Sequence, residues 1–100
     1  MTEYIDILIS ILFNIVRLKG NSMLTYSFAN LNGESMYTHL YSCIKADITS
    51  GVLHAGDKLP SKRMLAKNLG ISIITVENAY AQLLVEGYIY SEPKRGYYVA

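Results

Sequence analysis

The chain is 100 residues long, enough for one small domain or for one domain with an appendage. With 51% hydrophobic and 17% charged residues, its composition is typical of a globular protein and excludes an intrinsically disordered one. The formal net charge of +1 does not by itself indicate a nucleic-acid partner. The single cysteine, Cys43, excludes an internal disulfide and favours a cytoplasmic protein. We expect Cys43 to be a half-buried helix residue, because no His or Cys stands at metal-ligand spacing from it, and we predict no metal site.

The first predicted element is an apolar helix over residues 4–18. This segment is shorter than the roughly 20 residues that cross a bilayer, and it carries polar and charged side chains, so no membrane span is predicted. No basic region precedes it and no small-residue cleavage site follows, which argues against a signal peptide. On helical spacing, its polar residues form one narrow stripe: Asp6, Ser10, Asn14 and Arg17.

Two interpretations of this apolar segment stay open. A helix of this kind must bury most of its surface, so a partner chain or a further domain would have to cover it. Alternatively, translation begins at Met23 and residues 1–22 are not part of the native protein. Residues 23–34 follow as a predicted linker, because the segment over residues 19–35 is rich in Gly, Asn and Ser.

The next helix is predicted from Ser35, as its N-cap, to about Ser50, with Gly51 ending it. Its core-facing stripe follows helical spacing: Tyr37, Leu40, Tyr41, Ile44 and Ile48. Residues 51–59 are predicted to form a loop, in which His54 is expected to be solvated rather than a ligand.

A second helix is predicted to begin after Ser61, its N-cap, with Lys62 and Arg63 in the first turn. Positive charge at this end opposes the helix dipole, and a bound phosphate would reverse that penalty. The alternative is a solvated basic turn without a ligand. The inner face of the helix is predicted from Met64, Leu65 and Leu69, and Gly70 ends it.

A third helix is predicted to begin at once, with Ser72 as its N-cap, and so short a joint favours helix-turn-helix geometry. Its predicted core face is Val76, Ala79, Tyr80, Leu83 and Leu84. The outward residues are Ile73, Ile74, Thr75, Glu77, Asn78 and Ala81. Outward isoleucines are unusual on a surface helix, and in a major groove their apolar partner would be a thymine methyl group.

The pattern then changes to period two, which predicts a β-hairpin from residues 88–91 and 96–100. The turn between them carries Lys94 and Arg95, and one of the strand tyrosines, Tyr97 or Tyr98, is expected to stack on the core. Three helices followed by a hairpin define a mainly α fold, the winged helix-turn-helix. We assign it to residues 35–100, after the extra apolar helix at the N-terminus.

Residues 59–100, LPSKRMLAKNLGISIITVENAYAQLLVEGYIYSEPKRGYYVA, resemble the GntR family of bacterial regulators, and residues 36–57 fit that family's first helix and the loop after it. The stretch from Ala79 to Tyr88 is most similar to the MocR-type subfamily, whose members attach an aminotransferase-like domain that binds pyridoxal phosphate. The resemblance therefore implies no cofactor in this chain, but pyridoxal phosphate in a domain that these residues do not include.

The resemblance implies a sequence-specific transcription regulator that binds double-stranded DNA, with the recognition helix in the major groove and the wing in the minor groove. Arg63 matches the arginine that contacts phosphate and base edges, and Gly96 matches the wing glycine. Positions 72–75 match the start of the recognition helix: Ser72, Ile73, Ile74 and Thr75. Family members often have Arg at the positions of Ile73 and Glu77, and the loss of both removes the usual guanine contacts.

Such regulators commonly bind two half-sites as two-fold related chains, so a homodimer is expected, with residues 5–18 as its surface. A different class of function stays open, in which the winged helix binds another protein and its bases are incidental. An enzyme is not expected, because no acid pair, Ser/His/Asp set or Gly-rich phosphate loop occurs at usable spacing.

Overall fold

The computed structural model of the protein describes residues 24–29, 31 and 33–100. Its elements, in chain order, are α1 (Met36–Thr49), α2 (Lys62–Leu69), α3 (Ile73–Val85), β1 (Ile89–Glu92) and β2 (Gly96–Val99). The predicted order of three helices and a hairpin is confirmed. The predicted helix over residues 4–18, with its proposed dimer surface, lies outside the described residues.

Each helix begins at the serine that the sequence predicts as its N-cap. Ser35, Ser61 and Ser72 have extended backbones, and each Oγ accepts a hydrogen bond from the backbone N–H three residues later, at 3.3, 3.1 and 3.1 Å. Each bond satisfies a donor that a helix start leaves unpaired, which is why short polar side chains favour these positions.

Helix α3 is the element on which the others pack, since α1, α2 and β1 all contact it. The core combines residues from every element: Leu40, Tyr41, Ile44, Leu53, Leu59, Leu65, Ala66, Val76, Ala79, Tyr80, Leu83, Ile89 and Val99. One side of α3 is therefore fully used by the core, and its other side is left to solvent.

The prediction of core faces needs correction at five positions. Met64 is 48% exposed, and Ala66 is buried in its place, because α2 turns its Leu65–Ala66 edge toward α3. Tyr37 is 40% exposed at the N-terminal end of α1, beyond the region that the core covers. Ile48, Leu69 and Leu84 are half-buried against the core rather than fully buried.

The region predicted as a linker contributes to the core. Leu24 is 2% exposed and belongs to the same cluster as the helix residues. The Tyr26 hydroxyl donates a 2.7 Å hydrogen bond to the Asp47 carboxylate on α1, and Phe28 lies edge-on to His39 at 5.3 Å. Residues 24–28 form no helix or strand and follow no hydrophobic periodicity, so their packing against α1 gave no sequence signal.

The predicted loop over residues 51–59 also pairs with the hairpin. The Gly56 N–H donates to the Val99 carbonyl at 2.8 Å, the Val99 N–H to the Asp57 carbonyl at 2.9 Å, and the Leu59 N–H to the Tyr97 carbonyl at 2.8 Å. Strand β2 is thus hydrogen-bonded on both edges, to β1 in antiparallel register on one side and to this loop on the other.

Cys43 is half-buried, as predicted, and burial raises the pKa of its thiol. The prediction that no His stands at ligand spacing from Cys43 was wrong, because His39 lies one helical turn earlier and its Nε2 is 3.6 Å from the Cys43 Sγ. In the described part of the chain, no group of three or more His, Cys, Asp and Glu side chains is placed to hold a metal ion. Nor do the described helices include one with the length and apolarity to cross a membrane.

Candidate nucleic-acid interface

Helix α3 presents one exposed stripe opposite its buried face. This stripe, which we call the recognition stripe, follows helical spacing from the start of the helix to residue 81: Ile73, Ile74, Glu77, Asn78 and Ala81. Its first-turn isoleucines are 42% and 67% exposed, and the stripe contains no lysine or arginine. A helix held by the core on one side and open on the other has the shape that fits a DNA major groove.

The turn between α2 and α3 sets how that stripe is presented. Gly70 ends α2 in the left-handed conformation, with φ 68° and ψ 35°, which a residue without a β-carbon adopts at little cost. The backbone N–H of Ile71 then donates to the Ala66 carbonyl at 3.0 Å. The chain therefore reverses within residues 70–72, and α3 crosses α2 at a fixed position.

Lys62 lies between the recognition stripe and the hairpin. Its Nζ is 4.0 Å from the Glu77 Oε1 on α3 and 5.6 Å from the centre of the Tyr97 ring on β2. Tyr97 in turn packs edge-on against Tyr80 at 5.1 Å, so it is the strand tyrosine that stacks on the core. These contacts fix the start of α2 against both neighbouring elements.

Arg63 follows Lys62 in the first turn of α2, where no acidic residue is present. Its side chain is exposed, and none of the ion pairs among the described residues involves it. The guanidinium is therefore available to an external anion, at a helix end where backbone N–H groups also favour one.

The hairpin turn carries the second predicted basic point. Lys94 has a φ of 63°, an uncommon conformation for a residue with a side chain. The Arg95 Nη1 lies 3.5 Å from the Glu92 Oε2 across the turn, and its side chain is 75% exposed. Gly96 follows with a φ of 118° and begins β2.

Lys58 is a further base at this surface, and the sequence analysis missed it. It pairs with Tyr98 through the backbone, and a β-carbon on Gly96 would lie 3.5 Å from the Lys58 Cε. Lys58 reaches the hairpin only because the loop over residues 51–59 pairs with β2, and no local sequence pattern indicates this pairing. We call these five residues the basic surface: Lys58, Lys62, Arg63, Lys94 and Arg95.

The predicted site residues differ in what their side chains contact in the structure. Ser61, Ser72 and Thr75 use their side chains locally, the first two as N-caps, and the Ser72 and Thr75 hydroxyls lie 2.8 Å apart. Asn78 is exposed in the middle of the recognition stripe. Lys62 joins this stripe to β2, whereas no hydrogen bond or ion pair among residues 33–100 joins the hairpin turn to α3.

The arrangement of helices, short joint and hairpin defines the chain as a winged helix-turn-helix protein. Residues 36–99 match the sequence profile of the bacterial regulatory proteins of the gntR family, and the chain belongs to this family. Membership was expected from the resemblance of residues 36–57 and 59–100, and it is confirmed.

Relatives of known sequence carry this region as a small part of a longer chain. The HTH-type transcriptional regulator YdeL of Bacillus subtilis is 49% identical over 63 residues, which are 63% of this chain and 14% of YdeL. The probable rhizopine catabolism regulatory protein MocR of Rhizobium meliloti is 43% identical over 65 residues, 65% of this chain and 13% of MocR. The chain thus spans about one seventh of these relatives.

Solved structures share the fold. YtrA from Sulfolobus acidocaldarius, a GntR-family transcription factor, has a TM-score of 0.64 at 42% identity, over 67% of this chain and 70% of its own. The DNA-binding domain of AraR in complex with an operator has a TM-score of 0.65 at 25% identity, over 78% of this chain and 99% of its own.

Proposed function

We propose that the chain is the DNA-binding domain of a bacterial transcription regulator and binds double-stranded DNA sequence-specifically. The observation that carries this proposal is the exposed recognition stripe of α3, which lies next to the basic surface. The two meet where Lys62 of the basic surface contacts Glu77 of the stripe. The AraR domain of similar fold is held by an operator, and this supports the same mode of binding here.

The basic start of α2 supports a phosphate contact. Lys62 and Arg63 stand where a helix dipole favours anions, and no acid in that turn offsets them. A DNA phosphate beside them would meet two cations and the free N–H groups of the helix start, so the bound state removes a repulsion present in the free protein. In this proposal Arg63 contacts phosphate and the adjacent base edge.

The hairpin is proposed to enter the minor groove. Its turn exposes Lys94 and Arg95, and Gly96 has no side chain to hold the backbone away from the DNA. Lys58, packed beside Gly96, adds a phosphate contact at the base of the wing. In this arrangement α3 lies in the major groove, with Ser72, Ile73, Ile74, Thr75 and Asn78 nearest the bases.

We also propose that the chain acts as a homodimer in the cytoplasm, since one recognition helix and one wing cover about half of a two-fold operator. The proposed contact is the apolar segment over residues 5–18. Light scattering tests this pairing: the chain is expected to be a dimer, and Leu8→Asp with Leu12→Asp is expected to give a monomer. A monomeric wild type would contradict it, and a dimer in the double variant would place the contact elsewhere.

The activity of a longer regulator, including any response to pyridoxal phosphate, would belong to a further domain. The described residues do not fit that cofactor, because none of their lysines is buried in a site that could enclose it.

Selection from a pool of random duplexes tests the proposed function. The chain is expected to enrich one short motif, and Arg63→Glu is expected to abolish the enrichment by repelling phosphate. Lys67→Glu is the matched control, because it makes the same charge change in the last turn of the same helix. If the wild type enriches no motif, a winged-helix module that binds protein explains the fold better.

A further inference from the structure

The first turn of α3 exposes apolar surface at the centre of the proposed interface. Ile73 is 42% exposed and Ile74 is 67% exposed, although they lie at the start of a helix whose other face is fully buried. Single exposed apolar residues are normal on proteins, but two adjacent ones at the tip of a recognition helix form a small patch. The described part of the chain does not cover this patch.

We infer that Ile74, with Ile73 beside it, recognises thymine in the operator half-site through the C5-methyl group of that base. This inference rests on the proposed function, because it requires α3 to lie in the major groove. The thymine methyl is the one apolar group that the four bases place on the major-groove edge. An isoleucine side chain is stiff at its first torsion angle, so little freedom is lost when it packs against that methyl group.

Asn78 in the recognition stripe favours an A·T pair, whereas Glu77 is the member of the stripe whose carboxylate would fit the amino group of cytosine. Guanine is recognised by arginine or lysine, and the stripe contains neither. Asn78, one turn after Ile74, has the amide that pairs with the N6 and N7 atoms of adenine. Glu77 offers only acceptors and stands near Lys62, which offsets its repulsion of phosphate. The stripe therefore offers partners for both bases of an A·T pair.

The area and charge of this patch favour DNA over a second copy of the chain as its partner. Two isoleucines supply far less area than the roughly 800 Å² per partner of a stable protein interface. Lys62 lies 4.0 Å from Glu77 of this stripe and is followed in the chain by Arg63, so the surface next to the stripe has a net positive charge, which a polyanion fits better than a second copy does. A polyanion that carries methyl groups matches both features of this surface.

Replacing thymine with deoxyuridine tests the inference, because it removes the methyl group and nothing else. In the duplex selected by the full chain, each thymine is replaced in turn and the dissociation constant is measured. Loss of one buried methyl group is expected to weaken binding about fourfold at one or two positions. Ile74→Ala is expected to bind the thymine duplex more weakly and to bind thymine and uracil duplexes equally.

Val85→Ala is the matched control, because Val85 is 88% exposed at the far end of the same helix. This variant is expected to keep the preference for thymine. A selected half-site without thymine, or affinity unchanged by every replacement, would overturn the inference while the proposed function stands. Discrimination that survives in Ile74→Ala would also overturn it. If no motif is enriched at all, the proposed function fails and this inference fails with it.

Discussion

The hydroxyl of Tyr80 donates a 2.7 Å hydrogen bond to the carbonyl oxygen of Pro60, two residues before the first residue of α2. Tyr80 is 1% exposed, and burial raises the pKa of its phenol, so the group stays a neutral donor. The bond ties the middle of α3 to the N-cap region of α2. It therefore fixes Lys62 and Arg63 relative to the recognition stripe.

Replacing Tyr80 with Phe removes this bond while keeping the ring. Because the Pro60 carbonyl is left buried without its partner, the free energy of unfolding is expected to fall by about 1–3 kcal/mol. Urea denaturation measures the change. Tyr90→Phe is the control, since Tyr90 is 40% exposed and its ring stacks on Tyr98 with or without the hydroxyl. Equal stability of both variants would show that the Tyr80 bond does not hold α2 in place.

Replacing Arg63 with Ala is expected to weaken DNA binding by about 1–3 kcal/mol if the guanidinium contacts a base edge. The free energy of unfolding is expected to stay the same or to rise slightly, because a charge opposing the helix dipole is removed. Fluorescence anisotropy with a labelled duplex measures the first quantity and thermal unfolding the second. Unchanged binding by the folded variant would mean that the start of α2 does not face the duplex.

Comparing Lys94→Asn with Arg95→Gln separates the effect of charge in the wing from the effect of backbone strain. Asparagine tolerates the left-handed conformation better than lysine, so the free energy of unfolding is expected to rise by up to about 1 kcal/mol. DNA affinity is expected to fall, since a cation is lost. Arg95→Gln removes the neighbouring charge without relieving strain, and should lower affinity with no gain in stability. A Lys94→Asn variant that binds DNA as well as the wild type would exclude the wing tip from the interface.

Two truncations test the role of the chain before α1. A chain beginning at Met23 is expected to fold, whereas one beginning at Ser35 loses Leu24 together with the contacts of Tyr26 and Phe28 with α1, and is expected to be less stable. Leu24→Ala in the full chain removes the Leu24 contacts alone and is expected to lower the free energy of unfolding by about 2–3 kcal/mol, less than the truncation at Ser35. Circular dichroism during thermal unfolding measures all three. If the chain beginning at Met23 does not fold, residues 1–22 contribute to the core.

Local signals explain how much of this structure the sequence could predict. The caps at Ser35, Ser61 and Ser72 depend on residues within one turn, and helical periodicity marked most of the buried face of α3. Leu24 and Lys58 were missed because each acts through a partner distant in the chain, and each lies in a segment without helical or strand periodicity. The basic residues at the start of α2 and in the hairpin turn could be predicted from the sequence. For the same reason, the contacts of Lys62 with Glu77 and Tyr97, which connect α2 to the other two elements, could not.

The salt dependence of DNA binding tests the central claim most directly. On a duplex that carries a single half-site, one winged helix makes few phosphate contacts, so the dissociation constant is expected to be about micromolar or weaker, and binding should weaken steeply from low to physiological salt. Lys58→Ala should reduce the slope of log affinity against log salt by about one. An affinity that does not change with salt would contradict DNA recognition by the basic surface.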